Sequence, residues 1–292
     1  MNILNALKGL FKGKGGTDVD DFNITDSAVS STMRSATSLW WDAFQGQLPF
    51  AQTHKNFKPL PVAYTSTAYL AQLVTGEIKF EIADEELNKH VQKNLLPNLD
   101  RIVQQTLVGG YTVIKPYFVQ SGEMFFDSGT SRDFLPMALD ENGHITEGVF
   151  FERIRYRGKI YERREHHTFQ NGVHTVRNTA YLYGTKHAVE LATVPKWAVL
   201  LPEGRILSDI PMIATFRTPY ANNIDLDSEL PISIFANSLG TLHEIDEAHS
   251  EYCAEFKKMS AKVFADRTVL KENSGIPAVS YTHLTLPTIC SV

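Results

Sequence analysis

The chain has 292 residues (32.8 kDa), of which 43% are hydrophobic and 21% charged; these are the proportions of a folded protein and exclude a disordered one. A formal net charge of −5 and a pI near 6.1 exclude the overall basic balance of a protein that grips nucleic acid tightly. The two cysteines, Cys253 and Cys290, are too few for a disulfide framework, so we expect a reducing, intracellular compartment. No apolar run approaches the roughly 18–20 residues that span a bilayer, and we expect no membrane partner.

The first 22 residues predict a flexible segment. It contains a short basic amphipathic stretch that ends in glycines, with lysines beside an apolar side formed by Ile3, Leu4, Leu7, Leu10 and Phe11. A frayed helix is favoured over a membrane or partner contact.

Three helices are predicted in the next part of the chain. The first is capped near Thr25 or Asp26, with Trp40 in the core and Trp41 at the rim or an interface, because adjacent residues cannot share one helix face. The second covers residues 64–73. The third covers residues 85–107, with Pro97 as a break, and a short strand at 77–82 precedes it.

The middle of the chain predicts an antiparallel sheet. A glycine pair, Gly109 and Gly110, ends the third helix and leads into a β-rich run over 111–119. Further strands are predicted over 122–127, 134–139, 145–156, 159–169 and 174–183, joined by turns such as Arg157-Gly158 and Asn171-Gly172. Residues 184–210 predict a weakly patterned connection and residues 212–216 one more strand. The fold class is therefore α+β, with a helical N-terminal part and a central β-meander.

A polar loop and a long amphipathic helix follow. Asp227 or Ser228 is the predicted N-cap, and Pro231 fits the first turn. Apolar residues spaced by three, four and seven predict a buried face over residues 235–258. A strand is expected after Lys258.

Three stretches of the chain, 40–46, 109–118 and 221–237, together resemble portal proteins of tailed bacteriophages, specifically those of siphophages that infect Gram-positive hosts. The chain departs from the family pattern at residues 229–231, where the family prefers Pro-Leu-Gly. The residues that carry the resemblance are Trp40, Gly46, Gly109, Gly110, Lys115, Pro116, Ala221, Asn222, Asn223, Asp225, Ser228, Phe235 and Asn237.

The resemblance implies that residues 23–278 are a portal wing-like region and that the chain is a structural subunit without catalytic residues, metal or cofactor. Portal subunits form a ring, here expected to be a dodecamer, at one capsid vertex. Double-stranded DNA passes through its channel during packaging and ejection. The implied partners are terminase, scaffold or capsid protein and a head-tail adaptor, and the implied location is the virion, after assembly in the host cytoplasm.

Residues 279–292 resemble a translated sequencing adapter, and we expect this tail to be non-native. The protein would then be cut short near residue 278, without the stem, clip and crown of the family.

Motifs for catalysis are mostly missing. No phosphate-binding Gly-Lys-Ser/Thr loop exists, which excludes the packaging ATPase, and no Gly-x-Ser-x-Gly elbow exists. His243-Glu244 with His249 has the wrong spacing for a zinc protease helix, and the acidic surroundings of Cys253 do not favour a reactive thiolate.

Two further groups leave open alternatives. His166, His167 and His174 straddle a hairpin and can bind zinc, although polar residues on a solvated strand face are the favoured interpretation. Asp225 and Asp227 can hold a divalent ion, although turn bonding and capping explain them better. The rival to a portal subunit is a metal-dependent nuclease of the phage head, whose Asp225, Asp227 and Glu244 would bind the metal.

Arg153, Arg155 and Arg157 alternate along one predicted strand and so share a face. A solvated face paired with Glu152, Glu162 and Glu165, or a subunit interface, is favoured over contact with DNA phosphates.

Overall fold

The computed structural model describes residues 27–49, 57–119 and 123–260. The chain divides into two compact units, residues 1–250 and 251–292, and the second is described only for the end of its helix. The predicted segments 1–22 and 279–292, and the strand predicted after Lys258, lie outside the described residues.

Four helices precede the sheets: α1 (Ser31–Phe44), α2 (Val62–Gly76), α3 (Glu85–His90) and α4 (Leu99–Gly109). Helix α1 begins later than predicted because Ser30 is its N-cap, with the Oγ accepting the Met33 N–H at 3.1 Å. The break predicted at Pro97 is confirmed, since a π turn (Val91–Leu95) and a 3-10 turn (Leu96–Asn98) separate α3 from α4.

The strand predicted over residues 77–82 is wrong. Ile78 and Phe80 do pack against the buried Leu99 and Val103, which explains their alternating pattern. No strand lies beside this segment in the described part of the chain, however, and the Phe80 carbonyl accepts from the Gln92 side chain instead.

The strands form two antiparallel sheets. The smaller sheet has the order β2-β1-β9, with β1 (Tyr111–Phe118), β2 (Met124–Thr130) and β9 (Ala214–Arg217). The larger sheet has the order β3-β4-β5-β6-β7, and β8 also pairs with β6. Its strands are β3 (Phe134–Leu139), β4 (Ile145–Tyr156), β5 (Lys159–Gln170), β6 (Val173–Leu182), β7 (Ala188–Val189) and β8 (Glu203–Leu207). The α+β class and the central meander are therefore confirmed.

Two tight turns define the register of the meander. Arg157 and Gly158 join β4 to β5 with φ of 47° and 76°, and Asn171 and Gly172 join β5 to β6 with φ of 52° and 72°. Positive φ at both central residues matches the right-handed twist of the flanking strands, so both predicted hairpins are confirmed. The connection 184–210 carries more structure than predicted, because Trp197 is fully buried and packs under the larger sheet with Val194.

Trp40 and Trp41 both lie in the main core, with 0% and 6% of their surface exposed. The prediction that Trp41 lies at the rim or an interface is wrong, since it is buried within the chain. Helix α1 contacts both α2 and α4, so more than one of its faces is buried. The Trp41 indole N–H donates to Ser131 Oγ at 3.0 Å, which satisfies its polar atom inside the protein.

The last helix, α5 (Leu239–Ser260), begins later than predicted. Pro231 is not in a first helical turn, because residues 230–235 run as a buried non-helical segment. The Ile234 N–H donates to the Leu107 carbonyl at 3.1 Å, and Thr218 Oγ donates to the Ile232 carbonyl at 2.7 Å. These bonds to neighbouring elements compete with helix formation.

The apolar face predicted for this helix is only partly buried. Phe235 lies in the core, and Leu239 and Leu242 are half-buried against it. Further along within residues 1–250, Ile245 exposes 41% of its surface, so the predicted buried face does not continue to this position.

Candidate functional site

The three stretches that carry the family resemblance meet at one place in the fold. The Gly110 carbonyl accepts the Thr218 N–H at 2.9 Å, and Ser233 Oγ donates to the Leu107 carbonyl at 3.1 Å. The first bond joins the end of α4 to the residue that follows β9, and the second joins it to the segment around Pro231. Trp41, next to the motif residue Trp40, lies against Gly109. Residues far apart in sequence thus build one junction.

Steric contacts at this junction explain why residues 109 and 110 are both glycine. A Cβ on Gly109 would collide with Ser131 Oγ and lie 3.3 Å from the Trp41 ring. Gly110 has a φ of 85°, and a Cβ there would collide with the Pro231 carbonyl. Only glycine allows both the left-handed backbone and the close approach of the 231 segment.

The polar loop after β9 serves this junction as well. Asn222 Oδ1 accepts the N–H groups of Ile224 and Asp225, each at 3.0 Å, and its Nδ2 donates to the Leu230 carbonyl at 2.9 Å. Ser30 Oγ, the N-cap of α1, donates to the Asp225 carboxylate. The loop therefore folds on its own side chains and anchors the start of α1.

The other motif residues have structural positions too. Gly46 follows α1 with a φ of 65°, Phe235 is buried, and Asn223 donates to Asn237 at 2.9 Å. Ser228 Oγ accepts the Leu230 N–H at 3.3 Å. Ala221 is exposed and Pro116 is half-buried on β1.

Lys115 on β1 points into a buried ion network between the two sheets. Its Nζ pairs with Glu165 on β5 and lies 4.6 Å from the centre of the Phe150 ring. Arg163, also on β5, donates to the same carboxylate. Burial alone would raise the pKa of Glu165, but the hydrogen bond from His167 and the charges of Lys115 and Arg163 outweigh it and hold that pKa well below its usual range.

Two buried histidines extend this network. His167 Nε2 lies 2.8 Å from Glu165 Oε1, and His167 Nδ1 lies 2.9 Å from His174 Nε2. The Met212 N–H donates to His174 Nδ1 at 3.3 Å. The prediction of a solvated face is wrong here, since His167 and His174 expose 3% and 0% of their surface.

The direction of the hydrogen bonds from Met212 to Glu165 determines the tautomer of His174 and of His167. His174 Nδ1 accepts from a backbone N–H, so the proton of the neutral ring is on Nε2 and is donated to His167 Nδ1. His167 then carries its proton on Nε2 and donates it to Glu165. Burial lowers the pKa of both histidines, that of His174 to about 4, so both are neutral at neutral pH.

The arginines predicted to share one face of β4 pair with a predicted partner only at Arg153. Arg153 bonds Glu162 at 2.9 Å, but Arg155 is exposed and Arg157 lies in the turn with its guanidinium over the Tyr156 ring. Arg157 therefore does not continue the strand face that Arg153 and Arg155 share. Glu152 instead bonds Arg163 and Lys196, while Glu165 bonds Lys115 and Arg163.

The three carboxylates that the nuclease alternative requires are either hydrogen-bonded in the polar loop or exposed. Asp225 bonds Ser30, and Asp227 and Glu244 are exposed. Among residues 27–49, 57–119 and 123–260, no three His, Cys, Asp or Glu side chains form a group that could hold a metal ion. Over the same ranges, no helix has the length and hydropathy needed to cross a bilayer.

Helix α2 has an unusual surface. Its 15 residues include no charged side chain, and it is buried through Ala63, Thr67 and Ala71. We use the name α2 apolar face for four of its large exposed apolar side chains, which are Tyr69, Leu70, Leu73 and Val74. Tyr64 lies on another side of the helix, where its ring centre is 5.4 Å from that of Phe44.

No protein-family model matches this chain, and no curated protein matches it.

Proposed function

We propose that this chain is a structural subunit of a phage portal ring and that it acts through self-association at the capsid vertex rather than through catalysis. Double-stranded DNA would pass through the ring, and terminase, scaffold or capsid protein and a head-tail adaptor would dock on it. The resemblance at residues 40–46, 109–118 and 221–237 motivates the family assignment. The contacts that join these three stretches support the family assignment, because all three stretches then take part in the same packing junction.

The observation that carries the self-association is the α2 apolar face. Tyr69 and Leu73 expose 62% and 54% of their surface, one helical turn apart, on a helix without a single charge. Exposed apolar residues that occur singly need no explanation, whereas contiguous apolar surface marks a site of association. A ring is built from heterologous contacts, in which such a face meets a different surface on the next copy.

The buried histidines and ions fit a structural role. His167, His174 and Glu165 satisfy one another between the two sheets and are closed to solvent. Such a network fixes how the sheets pack, and in a ring it would keep each subunit rigid enough for repeated contacts.

Sedimentation velocity over a concentration series tests the self-association. The chain should show a sedimentation coefficient that rises with concentration, and the double variant Tyr69→Lys/Leu73→Lys should lose this rise. Tyr220→Lys/Leu226→Lys is the matched control, because it changes the same residue types at positions that expose 54% and 87% of their surface in the polar loop. Equal behaviour of the chain and both variants would contradict the role of α2.

A further inference from the structure

We propose that the tip of the β4–β5 hairpin, residues 155–159, is a second interaction surface that contacts the phosphate backbone of duplex DNA. Its cationic side chains are Arg155, Arg157 and Lys159, all exposed. This inference does not depend on ring assembly.

The positive charge at the hairpin tip is not neutralised within the described part of the chain. The nearest acidic residue on β5, Glu162, is buried and already bonds both Arg153 and Arg164. No carboxylate of the described residues forms an ion pair with the three cations of the tip. Three exposed cations without an ion pair to a described residue thus lie within five residues of a chain whose net charge is −5. Arg155 and Lys159 project from opposite faces of the ribbon, because Lys159 pairs with Tyr156 and Arg155 with Ile160.

The net charge of the chain does not cancel this local field. Exposed charges are screened over a Debye length of about 10 Å at moderate salt, so a phosphate close to the hairpin tip responds mainly to the cations there. Distant carboxylates reduce affinity without removing the local attraction.

Arg157 occupies a backbone conformation that does not favour arginine. Its φ of 47° lies in the left-handed region, where asparagine and glycine are best accepted. The same chain uses Asn171 at the equivalent position of the β5–β6 hairpin, with a φ of 52°. An arginine at this position costs conformational energy. Its guanidinium lies over the Tyr156 ring but forms no ion pair among the described residues, so its charge is left for a partner outside the chain.

The shape of the hairpin suits a DNA groove. Residues 156–159 extend just beyond the contact of β5 with the β6 side, where the last pair is Tyr161 with Leu182 and the Tyr183 N–H donates to the Ile160 carbonyl at 2.9 Å. On the other edge, β3 pairs with β4 only as far as Phe150. The tip is therefore two strands wide, and a two-stranded ribbon fits a major groove about 12 Å across, with phosphates on both sides.

The surroundings of the tip favour DNA over an acidic protein surface. Ile154 and Tyr156 are the apolar residues of this part of β4, and both pack against the cluster that contains Trp197. The tip therefore offers charge without the apolar centre on which protein interfaces depend. A regular array of phosphates needs no such centre, because release of counterions drives the binding.

Fluorescence anisotropy with a labelled duplex of mixed sequence at low salt tests the inference. The chain should bind, and Arg155→Gln/Arg157→Asn should weaken binding by about tenfold or more and make the dependence of log affinity on log salt shallower by about two. Arg177→Gln/Arg205→Gln is the matched control, because it also removes two exposed arginines of the larger sheet, both of which donate to Glu203. This control should keep the wild-type salt dependence.

Arg157→Asn alone separates a structural role from a binding role. Asparagine suits the positive φ, so the variant should keep or raise the unfolding midpoint while it weakens DNA binding. The inference is overturned if the chain does not bind the duplex at low salt, or if the control variant weakens binding as much as the tip variant. It is also overturned if polyglutamate of the same charge binds as tightly as the duplex, since the tip would then fit an acidic protein.

Discussion

His174 Nε2 lies 2.9 Å from His167 Nδ1, and both rings are buried between an amide donor and a carboxylate. The Met212 N–H fixes one end of this chain of hydrogen bonds and Glu165 the other. An added proton on either ring would set two donors against each other, at Met212 or between the rings. The pair therefore accepts a proton only when the packing of the two sheets changes.

The first prediction concerns acid stability. The pKa of His174 is lowered from the usual value near 6.5 to about 4 in the folded chain, and burial also lowers that of His167. Between about pH 6.5 and 4, the unfolded chain binds more protons at His174 than the folded chain does. The contribution of the neutral His174 ring to the unfolding free energy is therefore fully present above about pH 6.5 and is lost as the pH falls towards 4. Between about pH 7.5 and 5.5, we expect the His174 ring to account for a loss of about 1 kcal/mol of unfolding free energy.

Urea denaturation at the two pH values measures this loss. His174→Gln should flatten the dependence on pH, whereas His187→Gln, at an exposed position of the β6–β7 turn, should leave it unchanged. An undiminished dependence in the His174 variant would show that other groups cause the acid sensitivity.

The second prediction concerns the buried carboxylate. Glu165→Gln removes the charge that Lys115 and Arg163 share inside the protein. Among the described residues, Arg163 then keeps only its pair with Glu152, and Lys115 only the longer contact of 3.6 Å with Asp127. Loss of one partner of a buried ion pair costs about 3–5 kcal/mol of unfolding free energy. Glu147→Gln is the control, because its pair with His166 is about one third exposed and is expected to contribute less than about 1 kcal/mol. Similar effects of the two variants on the denaturation midpoint would contradict the network.

Elements with strong local signals could be predicted from the sequence. The strands β3 and β4 have the predicted bounds, because turn residues such as Gly158 and Asn171 set the hairpins locally. Pro97 marks the break between α3 and α4 because the loss of its N–H is a local effect.

Features that depend on distant partners could not be predicted. Burial of His167 and His174 depends on Glu165, Lys115 and the backbone of Met212, which the fold brings together. Polar strand residues are most often solvated, so their sequence carries no sign of this burial. The late start of α5 has the same cause, since the bond of Ile234 to the Leu107 carbonyl overrides a good helical pattern.

The third prediction concerns the glycine pair. Gly110→Ala should destabilise the chain strongly, because alanine disfavours a φ of 85° and its Cβ would meet the Pro231 carbonyl. Gly76→Ala is the matched control at the end of α2, where a Cβ meets nothing within 4 Å. The control should be neutral or stabilising by up to about 1 kcal/mol. Thermal unfolding of the two variants measures the difference. Equal midpoints would contradict the close approach of the Pro231 carbonyl to Gly110.

The fourth prediction concerns the polar loop. Asp225→Ala removes the carboxylate that accepts from Ser30, the N-cap of α1, and should cost about 1–2 kcal/mol. Asp227→Ala changes an exposed side chain two residues away and should be nearly neutral. Denaturant midpoints measure the difference. Two neutral variants would mean that the loop does not anchor the helix.

Native mass spectrometry of the product of the complete reading frame tests the portal proposal most directly. The account predicts ring-sized species that weaken when Tyr69 and Leu73 are replaced by lysine. A stable monomer that cleaves DNA with a divalent metal, and loses this activity with Asp227→Ala, would contradict it and support a nuclease.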